Sequence, residues 1–464
     1  MRHAIAPVFA LLCVTGAQAW AADVTDVASS FDEGNKFDFR FRLSYDHMEK
    51  RAQIKREVEE LSPTQDTIAT RKDLVYDQHR DTVRLRAEFG LFHDLMLHFE
   101  LPIIIEEQES YSFDQSAGKN CIFPGDPGGA TPTCVNQSNS TTMLDGLVPV
   151  GGYDATLMGR SLPPGPGVFR GVLRGARGGS GLDGFDTFNV GLTFAPFSQA
   201  RDDTKPTWTI ALEGQFSIGN IKQFNRGVPD ANHAVSEGVH RLIARTGLSK
   251  RFKYLDPYWE LWYLLPIARG DSLFKDYGPQ QKTKNPMMQG GTYFGLEIVP
   301  IDRPVQQYKF TIDLSGRIEG HFTGRGYSEA WEMLASADVL RCDASTAGYN
   351  PACDPAQVKN QYQNQPFTGV TTIQNYATVG TGAALAGQIG PYVRLRVGFD
   401  FTHDQSHLIT GDDIGTPMPG GSGRVERPNE FNPAYRAIID QPGRRYKVDN
   451  VNYYDVYCYG QVMF

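Results

Sequence analysis

The chain has 464 residues, with 45 Lys and Arg against 53 Asp and Glu, for a formal net charge of -8. That acidic balance, with a pI near 5.7, excludes nucleic acid as a general partner. Mean hydropathy is -0.37, and after residue 21 no apolar run approaches the roughly 18 residues of a membrane helix, which excludes a helical membrane protein but not one crossing on alternating strands.

The N-terminus reads as an export signal over residues 1–21. Arg2 and His3 are basic, Ala4 to Val14 are apolar, and Ala17-Gln18-Ala19 or Ala19-Trp20-Ala21 offers a small-x-small cleavage site. Cys13 belongs to that apolar run, because Leu11-Leu12 lacks the small residue of a lipoprotein site. Residues 22–35 follow as a short exported segment. Its Asp23-Val24-Thr25-Asp26-Val27 vaguely resembles a TonB box, but the chain is too short for a plug domain and 22 strands, so it reads as a linker.

From residue 36 the period is two. Phe37, Phe39, Phe41, Leu43 and Tyr45 alternate with Asp38, Arg40, Arg42 and Ser44. Val83, Leu85, Ala87, Phe89 and Leu91 alternate with Arg84, Arg86, Glu88 and Gly90, and a turn at His93-Asp94 leads into Leu95, Leu97, Phe99 and Leu101. Further strands are predicted over 185–194, 207–218, 239–252, 258–267, 292–299, 308–322 and 376–389. Val393 to Phe401 alternates again, and the last strand spans 446–464. The count is about twelve.

The connections alternate in length. Short ones are predicted at 92–94, 196–205, 253–257, 300–306 and 388–391. Long ones are predicted at 47–80, 106–184, 219–238, 269–291, 323–375 and 403–445. The charged stretch Glu49–Glu59 in the first of these fits either a helix or strands running beyond a membrane. Ser328 is a plausible N-cap for a helix reaching Leu340. Cys121 with Cys134, and Cys342 with Cys353, each bracket a short Gly/Pro-rich stretch. Two local disulfides are expected there, each worth roughly 2–3 kcal/mol by loop entropy. Cys458 is left unpaired.

With its tail ending Val456, Cys458, Gly460, Val462, Phe464 on one face, the chain resembles the Gram-negative outer-membrane β-barrel class over residues 36–464. Phe464 and Val462 match that class's C-terminal assembly signal, and Gly460 departs from its usual bulky residue. The resemblance implies an all-β, antiparallel up-and-down barrel with periplasmic turns and outward loops. It places 22–35 in the periplasm, and outer-membrane lipid, lipopolysaccharide and the barrel-assembly machinery among the partners. No cofactor or metal is implied, and no oligomeric state.

If the apolar sets face lipid, the lumen holds Arg40, Arg42, Arg84, Arg86, Glu88, Glu100, Arg241, Arg245, Glu260, Arg317, Glu319, Arg394, Arg396 and Asp400. Two readings stand. They line a water-filled pore that filters a small polar solute, anions included. Otherwise they neutralise one another in a narrow or closed barrel, whose loops then bind a surface ligand or whose periplasmic side anchors a partner. Arg170, Arg174 and Arg177, in the longest loop, offer a constriction at the mouth, or else a plain surface cap. A third class is a hydrolase with a loop-borne site at His403, Asp404, His407, Asp412 and Asp413. No Gly-x-Ser-x-Gly, His-Glu-x-x-His or His-x-Ser-Asn-Gly pattern supports it, so no catalytic residue is assigned.

Overall fold

The computed structural model describes residues 22–32, 36–61, 66–114, 135, 140–147, 169–174, 182–223, 233–303, 306–340, 367–427 and 429–464. The export signal, Arg177 and the paired cysteine candidates Cys121, Cys134, Cys342 and Cys353 lie outside them.

Twelve long strands form one antiparallel sheet. They are β1 (Phe39–Leu61), β2 (Asp66–Phe92), β3 (Leu95–Phe113), β4 (Thr187–Phe197), β5 (Thr207–Ser217) and β6 (Val239–Ser249). They continue as β7 (Leu255–Ala268), β8 (Gln289–Arg303), β9 (Tyr308–His321), β10 (Tyr376–Ile389), β11 (Val393–Asp404) and β12 (Tyr446–Met463). Neighbours in sequence pair with one another, and β12 returns to β1 from Arg40↔Met463 to Arg56↔Tyr446. The barrel is therefore closed, which removes the edges that an open sheet would expose. Phe464 fixes the seam: its N–H donates to the Phe39 carbonyl at 2.8 Å, and the two rings stack at 5.8 Å.

The outer face is a belt of apolar side chains open to the surroundings, among them Phe41, Leu43, Leu212, Leu261, Leu314, Leu395, Val397 and Val456. A continuous apolar surface of this kind is stable only in lipid. Cys458 shares that face and is free. The intervening positions turn inward, as the pleat requires.

The stretch 47–80, expected as a long connection, is instead strand out to Leu61 and back from Asp66. The shift at Ile54/Lys55 places one extra residue, Asp73, in β2 and breaks the period of that strand, which is why it is hard to read from sequence. On β1 the inward set continues through Ala52 and Ile54 to Arg56, which is buried and donates to the carbonyls of Thr141 and Ile438 at 2.7 Å each. Likewise β3 continues to Phe113, beyond the expected end near residue 106. The helix expected up to Leu340 is shorter, Trp331–Ser336, with Ala330 at its N-cap and no side-chain cap. Ser328 contributes only its carbonyl, which accepts the N–H of Trp331 at 2.8 Å.

Candidate functional site

The inward side chains form three layers between the end bearing the short turns and the end bearing the long loops. The first layer, at the short-turn end, is built from the chain's own N-terminal segment. Residues 22–35 were expected in the periplasm, but 22–32 enter the barrel, where Ala22 and Ala28 are fully buried. The N–H of Asp23 donates to Glu297 on β8 at 2.9 Å. Its carboxylate accepts from the Tyr459 hydroxyl on β12 at 3.0 Å and from Arg394 on β11 at 3.1 Å. Arg396 and Arg42 stand 3.6 and 3.9 Å away. Asp26 accepts from Arg394 at 2.8 Å and pairs with Arg40 at 3.1 Å. Between them the Thr25 hydroxyl lies 2.6 Å from that of Ser249 on β6.

The physical cause of the insertion is charge. Strands β1 and β11 aim Arg40, Arg42, Arg394 and Arg396 at one region, and buried guanidinium groups need counter-charges. A single 3-10 turn, Asp23–Thr25, brings Asp23 and Asp26 onto one face, because that helix repeats every three residues. Gly90 permits the close approach. A Cβ there would lie 2.6 Å from the Ser30 hydroxyl and 2.9 Å from the Ser30 nitrogen.

The second layer is a band of ion pairs at mid-barrel. Arg86 donates to Glu88 at 2.7 Å and to Glu100 at 3.3 Å. Arg245 faces Glu260 at 3.5 Å, and Arg317 donates to Asp400 at 2.6 Å. Arg317 also stands 4.0 Å from Glu319. Arg84 pairs with Asp46, and Arg396 with Asp313. Nearer the loops, Arg241 meets Glu237 at 3.0 Å and Asp186 at 3.7 Å. All nine arginines expected in the lumen thus have acidic partners. In this state the interior is a neutralised network, and four of those arginines reach carboxylates of residues 23 and 26.

The third layer closes the long-loop end with an apolar core. Inward Ala52, Ile54, Leu74, Tyr76, Tyr111, Tyr446 and Val448 pack against Leu334, Leu340, Ile409 and Ile439 from the loops. Trp331 is 1% exposed, donates to the Thr368 carbonyl at 3.1 Å, and lies under the Lys222 ammonium at 5.2 Å. Lys222 is held by Glu107 at 3.0 Å and Glu109 at 2.6 Å. Lys50 meets Glu329 at 2.8 Å. Burial alone would raise the Glu329 pKa, but the Lys50 charge outweighs it and the net shift is downward. Asp440 behaves oppositely. Burial and then the charge of Asp412 push its pKa up, against three main-chain N–H groups that hold its ionised form.

The rim cluster disperses. Asp404 accepts from the Tyr453 hydroxyl at 3.0 Å, and His403 lies 2.9 Å from Asn452. His407 stacks on Tyr376 at 3.8 Å. Asp412 pairs with Arg325 at 3.3 Å, and Asp413 with Lys282 at 2.7 Å in solvent. Each has its own structural partner. Of the loop arginines, Arg170 and Arg174 sit on a short strand, Phe169–Arg174, whose backbone pairs with β3 at Ser110 and Glu107.

A closed twelve-stranded antiparallel barrel with an apolar outer belt and a charged interior is an outer-membrane-type β-barrel. No protein-family model matches the chain, and no curated protein matches its sequence. Among solved structures it is similar to the COG4313 outer membrane channel from Pseudomonas putida F1. The identity is 7%, covering 91% of this chain and 95% of that one, with a TM-score of 0.36. It is also similar to the outer membrane protease OmpT from Escherichia coli, at 6% identity, 92% and 98% coverage and a TM-score of 0.27. A Pseudomonas aeruginosa FadL homologue gives 8%, 92% and 90%, and 0.28. At these distances the functional argument rests on the chain's own residues.

Proposed function

We propose that this protein, exported by residues 1–21 to the outer membrane of a Gram-negative cell, is a channel for a small polar, preferentially anionic solute. In the state described, its own residues 22–32 hold the short-turn end shut, and the apolar loop core closes the other. The observation that carries this reading is the seat of Asp23 and Asp26. Two carboxylates three residues apart near the chain's N-terminal end occupy a cluster of four arginines, the place and charge an anionic solute would take. Arginine suits both roles, since its planar fork binds carboxylate or phosphate and never deprotonates. Withdrawal of the plug would leave Arg40, Arg42, Arg394 and Arg396 facing water and draw anions inward, as charged rings do in channels. Lipopolysaccharide around the belt and the barrel-assembly machinery acting on the Val462–Phe464 tail complete the setting.

The test is conductance in planar bilayers of the full mature chain, of D23N/D26N, and of a chain lacking residues 22–32. The plug-free chain is expected to show anion-selective steps, and D23N/D26N an open probability raised at least about tenfold. Absence of steps from a folded, heat-modifiable plug-free barrel that also carries W331A would sink the channel. That outcome would instead favour a non-conducting barrel that binds or anchors a partner, a reading supported by the filling of both ends.

A further inference from the structure

The outward face of the first hairpin carries a group of side chains that neither the barrel nor the lumen uses. Above the belt, past Tyr45, the outward positions of β1 are His47, Glu49 and Arg51. Those of β2 opposite them are Asp81, His79 and Asp77, by the pairs His47↔Asp81, Glu49↔His79 and Arg51↔Asp77. His47, Glu49 and His79 each offer one ligand atom, and the three atoms lie within 4.8 Å of one another. Among the described residues no other three His, Cys, Asp or Glu do so.

The spacing suits a small divalent ion. His47 Nε2 is 3.5 Å from Glu49 Oε1, and His79 Nδ1 is 3.7 Å from the same oxygen. Tetrahedral zinc with Zn–N and Zn–O bonds of about 2.0–2.1 Å needs ligand–ligand edges of about 3.4 Å, so two edges are nearly in place. The third edge closes by a small rotation of His79, which is exposed and has room to turn.

The second observation is the group behind His47. The Asp81 carboxylate lies 2.6 Å from His47 Nδ1, and also accepts from the Tyr45 hydroxyl at 3.0 Å. A carboxylate on one imidazole nitrogen fixes the tautomer that leaves the other as a lone-pair donor, the usual outer-shell arrangement around a metal-bound histidine. Here it turns Nε2 towards Glu49 and His79. Two imidazoles and one carboxylate favour zinc, copper or nickel over calcium or magnesium, which prefer all-oxygen shells.

We infer that His47, Glu49 and His79 form a divalent transition-metal site on the outer face of the barrel, with Asp81 as a positioning residue and a fourth coordination position open to solvent. The inference is independent of whether the lumen conducts. It is tested with the mature chain, made without a histidine tag and folded in detergent micelles. Zinc is titrated by calorimetry, and cobalt by visible absorption, whose intensity separates tetrahedral from octahedral coordination. One zinc per chain and an intense cobalt spectrum are expected. H47A and H79A should each weaken zinc binding at least tenfold, and D81N by 10–100-fold with unchanged stoichiometry. All four side chains face outward, and heat-modifiability on gels checks that each variant folds. The idea fails if the wild-type chain binds no zinc, or if a folded H47A/H79A double variant binds it as tightly as wild type.

Discussion

The two ends of the barrel are filled in opposite ways. At the short-turn end a few residues of chain are held by ion pairs and hydrogen bonds to β1, β6, β8, β11 and β12. At the long-loop end, aromatic and aliphatic side chains make an ordinary apolar core around Trp331, Leu334 and Tyr446. The difference separates a part that exchanges readily with salt or solute from one that opens only at a larger cost. Ion pairs inside a lumen can be replaced one for one by water, salt or a charged solute, so their net stabilisation is small and condition-dependent. An apolar core has no such substitute, and opening it exposes surface at about 25 cal/mol per Å².

That contrast can be broken in several ways. The largest effect is expected from W331A, which empties a fully enclosed indole site and should destabilise the cap by about 3–5 kcal/mol. It should speed proteolysis between β9 and β10, while the barrel keeps its heat-modified band. Loss of that band would mean that cap and barrel are one cooperative unit. Next comes R394M. It strips a partner from both Asp23 and Asp26, and breaking a buried pair costs about 3–5 kcal/mol. A maleimide spin label on D32C should then become mobile, and an unchanged spectrum would show that the plug is held by other contacts.

Acidity should act on the cap in a defined direction. The raised Asp440 pKa means that the folded loops favour the protonated acid. That stabilisation is complete below the unfolded carboxylate value near 4 and is lost as pH rises towards the folded value. The lowered Glu329 pKa works the other way, but only as pH falls through its folded value below about 4.5. Between about pH 5 and 8 the cap should therefore loosen, seen as faster amide exchange around 409–440. D440N should flatten that slope, and a wild-type slope persisting in D440N would assign the effect elsewhere. The smallest effect concerns Cys458 on the apolar belt. It should react with a lipid-soluble maleimide in proteoliposomes and resist a charged one, with stability changed by less than about 0.5 kcal/mol.

The barrel was legible because the period of two survives wherever one face meets lipid and the other meets charge. Phe41, Leu43 and Tyr45 against Arg40, Arg42 and Ser44 state which side faces lipid and which faces inward. Legibility ends where that contrast ends. Above the belt, inward Ala52 and Ile54 face apolar loops, outward residues are charged, and the extra residue Asp73 shifts the phase of β2, so 47–80 reads as a connection. Asp23 and Asp26 carry no periodic signal at all. Their role follows from arginines on β1 and β11 that lie hundreds of residues apart in sequence and meet only when the sheet closes. The local pattern also suggested a reactive rim, since His403, Asp404, His407, Asp412 and Asp413 are close in sequence. The backbone sends each towards a different neighbour.

The hydrogen bond from Tyr459 to Asp23 joins residues 436 apart in sequence. Its donor sits on the last strand and its acceptor ahead of the first. Arg394, which grips both plug carboxylates, belongs to the strand that pairs with that last one. The seat for residues 22–32 is therefore incomplete until β12 has docked on β1 and β11. Contacts so distant in sequence form late, after the intervening loops have been closed. During biogenesis the cylinder should thus pass through a stage with an unlatched door, and the final zipping of the seam and the shutting of that door should be a single kinetic event.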